Sequence, residues 1–239
     1  MFIDRRSGYN RKQVNENFFK KWSPSMAYVL GLILADGAIE DVRKSSRTCY
    51  ISLTSIEKPY LENIKEILHS THQIYKRPAR YTIFHEQKIF SKDTYNLRIG
   101  NKLMFQDLIN LGVTPRKSLR MRFPEISEEY LPFLVRGYLD GDGCIYVSNG
   151  NKNKPRIHLI FTCGSRIFLE KLSQKLANVI RILDFPVKIN SGNGAYQIRY
   201  SGHKAMQILS YLYRQLEAAP RLQRKYQTYT SYQCQLTER

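Results

Sequence analysis

The chain is written twice. "YVLGLILADGAI" (Tyr28 to Ile39) returns as "FLVRGYLDGDGCI" (Phe133 to Ile145), and the segments downstream of the two copies correspond in turn. "ISLTSIEKPYLENIKEIL" (Ile51 to Leu68) aligns without gaps to "LIFTCGSRIFLEKLSQKL" (Leu159 to Leu176), sharing Thr54 with Thr162, Leu61 with Leu169, Glu62 with Glu170 and Leu68 with Leu176. "YNLRI" at Tyr95 pairs with "YQIRY" at Tyr196. A repeat this long restricts the fold more than any composition can, because both copies must form the same elements. Each unit reads as helix, two strands, helix, two strands, helix. Cys49, Ile51 and Leu53 alternate with Thr48, Tyr50, Ser52 and Thr54, and Ile157, Leu159 and Phe161 with Arg156, His158 and Thr162, which is the period of a half-buried strand. Helical spacing marks Lys58 to His69 and Ile167 to Ile182. The expected fold is α/β of the α+β type, a tandem αββαββα repeat about a pseudo-twofold axis with two four-stranded antiparallel sheets; a doubly wound sheet would need alternating βα units. Residues 1–111 hold an N-terminal arm and the first repeat, the Pro- and charge-rich stretch 112–132 a linker, and 133–239 the second repeat.

The repeated string carries small residues four apart, Gly31 with Ala35 and Gly137 with Gly141. Residues at i and i+4 share a helix face, and small ones let two backbones approach, so these four predict a helix pair, one helix from each copy. Gly37 and Gly143 stand where a left-handed terminating residue would. Asp36 and Asp142, one residue earlier, then meet at the end of the pair. A carboxylate at a helix C-terminus opposes the macrodipole by roughly 0.3–1 kcal/mol, and two such charges about 4 Å apart repel by about 4 kcal/mol at an effective dielectric near 20. A divalent cation removes that repulsion, and paired carboxylates suit Mg²⁺. In one copy Asp-Gly reads as ordinary turn chemistry; matched in two, it points to metal-assisted phosphodiester hydrolysis. Asp140 stands opposite Leu34 and so has a supporting role.

With 38 basic and 20 acidic side chains, a net charge of +18 and a pI near 9.8, the expected partner is a polyanion, nucleic acid ahead of an anionic membrane. The longest apolar run, Ala27 to Ala35, is too short to span a bilayer, and no apolar segment follows the N-terminal charges as in a secretory signal, so an intracellular protein is expected. Cys49, Cys144, Cys163 and Cys234 form no CxxC pair and read as small buried hydrophobes rather than a zinc site or disulfide framework. His69 and His72 fall at a predicted helix end, as caps.

"VLGLILADG" (Val29 to Gly37) and "VRGYLDGDG" (Val135 to Gly143) resemble the two signature motifs of the single-chain LAGLIDADG homing endonucleases. The resemblance extends over nearly the whole chain and implies a saddle of two sheets astride double-stranded DNA, a monomer, and a Mg²⁺-dependent endonuclease, with Ca²⁺ or Mn²⁺ as substitutes in vitro. It implies metal binding by Asp36 and Asp142, with the preceding Ala35 and Gly141 at the same metal position. Basic residues at similar distances downstream, Lys117 in "PRKSL" and Lys225 in "QRKYQ", are implied to stabilise phosphate charge or tune the water, Arg116 and Arg224 being the neighbouring alternatives. Leu34 and Arg136 depart from the motif without touching the metal position. No intein-type splicing residues frame the chain, which favours an intron-encoded enzyme of a bacterial cytoplasm or an organelle.

A two-stranded ribbon fits the major groove. The strand alternation assigns Glu40, Lys44, Tyr50, Ser52, Asn96 and Arg98 to the groove face of the first copy, and Tyr146, Ser148, Arg156, His158, Gln197 and Arg199 to that of the second. The sets differ chemically, so the expected target is asymmetric. The hairpin tips "RKSSRT" and "SNGNKNKPR" and the arm "RKQVNENFFKKW" are expected to touch flanking phosphates. The rival reading on the same scaffold is a binder that does not cut, an intron maturase or transcription regulator, and retention of both metal-position acids argues against it.

Overall fold

The computed structural model of the chain describes residues 12–43, 48–84, 87–115, 117–149, 155–181, 188–189 and 194–237. Two helices form its spine, α1 (Pro24–Asp36) and α4 (Leu131–Asp142). Helix α1 starts where Ser23 accepts the Met26 amide at 3.1 Å and Pro24 pre-sets the first φ. From Met26 to Leu34 every residue is buried, so α1 has no solvent face and can only be an internal helix.

Around the spine each copy builds the expected unit. The first runs α1, β1 (Ala38–Asp41), β2 (Cys49–Ser55), α2 (Lys58–Ile67), β3 (Ile74–Arg77), β6 (Thr94–Gly100) and α3 (Lys102–Asn110). The second runs α4, β7 (Cys144–Asn149), β8 (Pro155–Cys163), α5 (Arg166–Ile180), β9 (Lys188–Ile189), β10 (Tyr196–Ser201) and α6 (His203–Tyr213). The strands pair antiparallel in the orders β1-β2-β6-β3 and β7-β8-β10-β9, two sheets of the same topology and the saddle of the expected fold class. The alternation sorts as read: Cys49, Ile51, Leu53, Leu97 and Ile99 are buried beneath α2 and α3, and Ile157, Leu159, Phe161, Ile198 and Tyr200 beneath α5 and α6. Each large apolar side chain buried there contributes roughly 1.5–3 kcal/mol.

Five features differ from the sequence reading. A second hairpin, β4 (Arg80–Phe84) with β5 (Gln87–Ser91), sits between β3 and β6 as its own two-stranded sheet, and a last helix, α7 (Gln223–Thr237), comes after the second unit; among the described residues neither has a counterpart in the other copy. The stretch between the copies also enters the core, with Val113, Met121, Phe123 and Ile126 buried and the Met121 carbonyl accepting from Ser165 Oγ at 2.6 Å. Gly37 (φ −78°, ψ 154°) and Gly143 (φ −86°, ψ 166°) are extended, not left-handed. Their lack of a side chain answers to space: a Cβ on Gly37 would lie 2.6 Å from Ile33 Cα, and one on Gly143 2.4 Å from Leu139 Cδ1. Among the described residues, left-handed conformations at helix ends fall instead at His69 (φ 46°), just past α2, at Gly112 (φ 87°), just past α3, and at Arg181 (φ 51°), which caps α5. Cys49 and Cys163 are buried as read, but Cys144 and Cys234 are exposed.

Candidate active site

The seam between α1 and α4 is made by its glycines. A Cβ on Gly31 would stand 2.0 Å from the Leu134 carbonyl oxygen, and one on Gly137 2.0 Å from that of Tyr28. Each backbone thus lies against the other at mirrored positions, closer than any side chain allows. The second small pair continues the contact, since a Cβ on Gly141 would meet the Ala35 Cβ at 2.4 Å and the Asp36 Cβ at 3.5 Å. That approach sets the last turns of the helices side by side, and with them Asp36 and Asp142.

Both aspartate side chains reach solvent although the helices that carry them are buried. Incomplete solvation raises the Asp142 carboxyl to about 6, and the charge of Asp36 adds to the rise while Lys117 and Lys225 oppose it. Asp36 is raised by the same desolvation and lowered by the same two lysines. The two lysines act on both carboxylates, and the Asp36 charge is felt at Asp142, which marks one electrostatic unit drawn from both repeats. Its donors suit a hard cation: two carboxylates, with Ala35 and Gly141 in final helical turns whose carbonyls have no partner further along the helix. Among the described residues no cluster of three or more His, Cys, Asp or Glu exists, so a cation there would complete its shell with oxygens from outside the chain, as Mg²⁺ does with water and phosphate.

The two lysines reach the ends of different motif helices. Lys117, at the start of a short 3-10 turn (Lys117–Leu119), donates to the Gly37 carbonyl, just past Asp36. Burial lowers its pKa, while Asp142 and Asp36 raise it. Lys225, in the first turn of α7, donates to the carbonyls of Leu139 at 2.5 Å, Asp140 at 3.0 Å and Gly143 at 2.6 Å. It is 4 % exposed, and desolvation brings its pKa down to about 8 against the raising effect of Asp140. Each ammonium thus caps the negative end of one motif helix. Arg224 turns away to pair with Glu57 at 3.0 Å, and Arg116 lies outside the described residues.

The residues assigned to the groove face all lie on the outward side of their strands, apart from Lys44, which is outside the described residues together with most of both hairpin tips. They are already organised. Arg98 stacks on Tyr50 at 3.8 Å and pairs with Glu40 at 2.7 Å, and Ser52 faces it across β2 and β6. In the second sheet Tyr146 stacks on His158 at 4.7 Å, and the His158 nitrogens hydrogen-bond the hydroxyls of Ser148 and Ser201, both at 2.8 Å; Arg156 and Arg199 are exposed. One contact recurs in both copies: Asn96 donates to Thr54 at 2.9 Å, and Gln197 to Thr162 at 3.2 Å. The arm is tied back rather than loose. Asn15 N–H donates to Leu68 O at 2.9 Å, Phe19 is buried and Trp22 stacks on Tyr130, leaving Lys12, Lys20 and Lys21 exposed.

Arg136 and Asp140, both singled out in the sequence, belong to a buried polar cluster whose partners were not foreseen. Arg136, fully buried, donates to the carbonyls of Leu212 at 3.3 Å, Gln215 at 3.4 Å and Ala219 at 2.8 Å, so its guanidinium closes the end of α6 and the turn after it. Asp140 accepts from Tyr28 Oη at 2.6 Å and from Leu222 N–H at 2.7 Å, and Tyr28 Oη meets Tyr60 Oη at 2.6 Å. An arginine in a helix with no exposed face was the available signal; its partners, some eighty positions away, were not legible.

Residues 135–234 match the family model of the LAGLIDADG endonucleases. No curated protein matches the chain. Among solved structures, the I-LtrWI LAGLIDADG homing endonuclease bound to target DNA is 15% identical with a TM-score of 0.57, over 94% of this chain and 92% of that one. The LAGLIDADG meganuclease I-CpaMI bound to uncleaved DNA is 12% identical with a TM-score of 0.53, over 88% and 90%; I-AabMI, likewise bound to uncleaved DNA, is 13% identical with a TM-score of 0.52, over 91% and 92%. At such identities the likeness is one of fold. The family model thus covers the second copy of the signature string, and the architecture of the whole chain is similar to that of single-chain LAGLIDADG homing endonucleases.

Proposed function

We propose that the chain is a site-specific, divalent-metal-dependent endonuclease that cuts both strands of a long asymmetric DNA target as a monomer, with Mg²⁺ the working ion inside an intron-bearing cell or organelle. Residues 1–111 and 133–239 serve one half-target each, and 112–132 joins them. The observation that carries this reading is the pair of solvent-reaching carboxylates, one from each repeat, held together at a glycine seam between two lysines. A structural helix end gains nothing from two neighbouring carboxylates whose pKa values both rise. A strained pair of acids in an accessible place is what a cation site requires.

Asp36 and Asp142, with Ala35 and Gly141 beside them, would hold the ion. Bound there, it supplies neutralisation of phosphoryl charge and a more acidic water for in-line attack. The remaining work falls to the chain. Lys117 and Lys225 offset the negative charge that develops at the phosphate, and the outward residues of both sheets fix the phosphate's register by touching base edges, Arg98 and Arg199 suiting guanine, Asn96 and Gln197 adenine. Chemically different sets in the two sheets match an asymmetric sequence.

The experiment is selection of bound fragments from a random duplex library with Ca²⁺ in place of Mg²⁺, and then cleavage of the selected duplex in Mg²⁺. Asp36→Asn and Asp142→Asn should each abolish double-strand cutting and keep the duplex affinity. Tight binding by the wild type with no cutting in Mg²⁺ or Mn²⁺ would identify a maturase or regulator instead.

A further inference from the structure

The lysines that flank the two carboxylates do not stand in equivalent places. The ammonium of Lys225 gives a hydrogen bond to each of three carbonyls, those of Leu139, Asp140 and Gly143, so all three of its donors are used. Lys117 donates, among the described residues, to Gly37 alone, which leaves it two donors. The difference arises from the element that carries each lysine. Lys117 sits in a 3-10 turn of the connecting stretch, whereas Lys225 sits in the first turn of α7, and the residue just before α7 is Leu222, whose carbonyl accepts from Lys225 N–H at 3.0 Å and Tyr226 N–H at 3.2 Å. The N–H of that same Leu222 is held by Asp140 at 2.7 Å. Asp140 is 4 % exposed, and its hydrogen-bonded oxygen is steadied from the first repeat by Tyr28 and, through it, Tyr60. Leu34, its counterpart in the other motif, is buried and has no group that could hold a backbone amide.

We infer that Asp140 is a positioning residue. It pins the start of α7, and so fixes Lys225 as a stationary charge beside Asp142, while Lys117 is the lysine free to donate to a phosphate. The two halves of the centre therefore act differently, and loss of Asp140 should disturb the strand served by Lys225 more than the other. The inference rests on the endonuclease reading for its consequence, but not for the positioning itself.

Two measurements separate these. In the metal-free protein without DNA, amide hydrogen exchange over 222–226 should accelerate about tenfold in Asp140→Leu, the worth of one charge-assisted hydrogen bond, and return close to wild type in Asp140→Asn, which keeps an acceptor for Leu222. On a selected target labelled separately on each strand, the wild type sets the reference ratio of the two strand rates. Asp140→Leu should change the ratio of the two strand rates by about 10²-fold, as small misplacements of catalytic groups do, with DNA affinity kept, and Asp140→Asn should restore the ratio. A purely structural role would slow both strands alike. Unchanged exchange in Asp140→Leu, or altered exchange with an unaltered strand ratio, overturns the inference. A wild type that cuts neither strand sinks the endonuclease reading, and the exchange result then decides by itself whether Asp140 holds Lys225 in place.

Discussion

At the scale of single residues, the carboxylate pair has a consequence that needs no DNA. The Asp142 carboxyl titrates near 6 when folded, against about 4 for an ordinary carboxylate. Between those values the folded chain keeps a proton that the unfolded chain has released. Without metal, the contribution of Asp142 to stability is therefore fully present below about pH 4, declines as pH rises, and levels off above about pH 6. The amplitude is modest because the side chain reaches solvent. Asp142→Asn, which has no charge to hold, should melt above the wild type at about pH 7.5 and close to it at about pH 4, as differential scanning calorimetry in a chelating buffer would register. A pair of curves that stay parallel across that range would show that Asp142 is not destabilised by its setting.

At the scale of elements, the seam decides everything downstream of it. Gly31→Ala or Gly137→Ala places a methyl 2.0 Å from a carbonyl oxygen of the facing helix, and no rotamer change relieves a clash with backbone. Either should cost about 3 kcal/mol or more, read as the urea midpoint or as loss of folded protein. Gly143 offers a sharper contrast. Were it left-handed, asparagine would be accepted there; because it is extended and crowded by Leu139, Gly143→Asn should be as harmful as Gly143→Ala, about 1–3 kcal/mol in the same measurement. Elements also explain what the repeat concealed. The β4–β5 hairpin and α7 are additions to one copy each, so comparison of the copies gave no hint of them, and in α7 the burial of Lys225 comes from the carbonyls of α4, far away in sequence.

At the scale of the whole molecule, the net charge of +18 governs how any polyanion is met. If the sheet faces and the exposed lysines of the arm neutralise on the order of 6–10 phosphates, affinity should fall about 10³–10⁵-fold between 50 and 200 mM salt, with a straight line in log affinity against log salt. Fluorescence anisotropy on a labelled duplex would show it; a slope near zero would remove the electrostatic footprint on which DNA binding is argued. No helix among the described residues is long and apolar enough to cross a membrane, in keeping with the short apolar run read at Ala27 to Ala35. Arg224 reaches Glu57 across the two repeats, so the halves are joined by an ion pair as well as along the seam.

The sequence by itself determined the architecture: a duplicated string with small residues four apart, succeeded in each copy by alternating strands, admits one seam and two like sheets, because those patterns depend only on the local periods of helix and strand. It also singled out Asp36 and Asp142, since two acids at equivalent ends of apolar helices are visible without coordinates. What only the tertiary structure decided are the matters of contact between distant segments. These include the crowding that makes Gly37 and Gly143 glycine at ordinary φ, the carbonyls that close around Arg136 and Lys225, and the hold of Asp140 on Leu222. Such contacts are set by how whole elements dock, and no period in the chain encodes which carbonyl a buried cation will find.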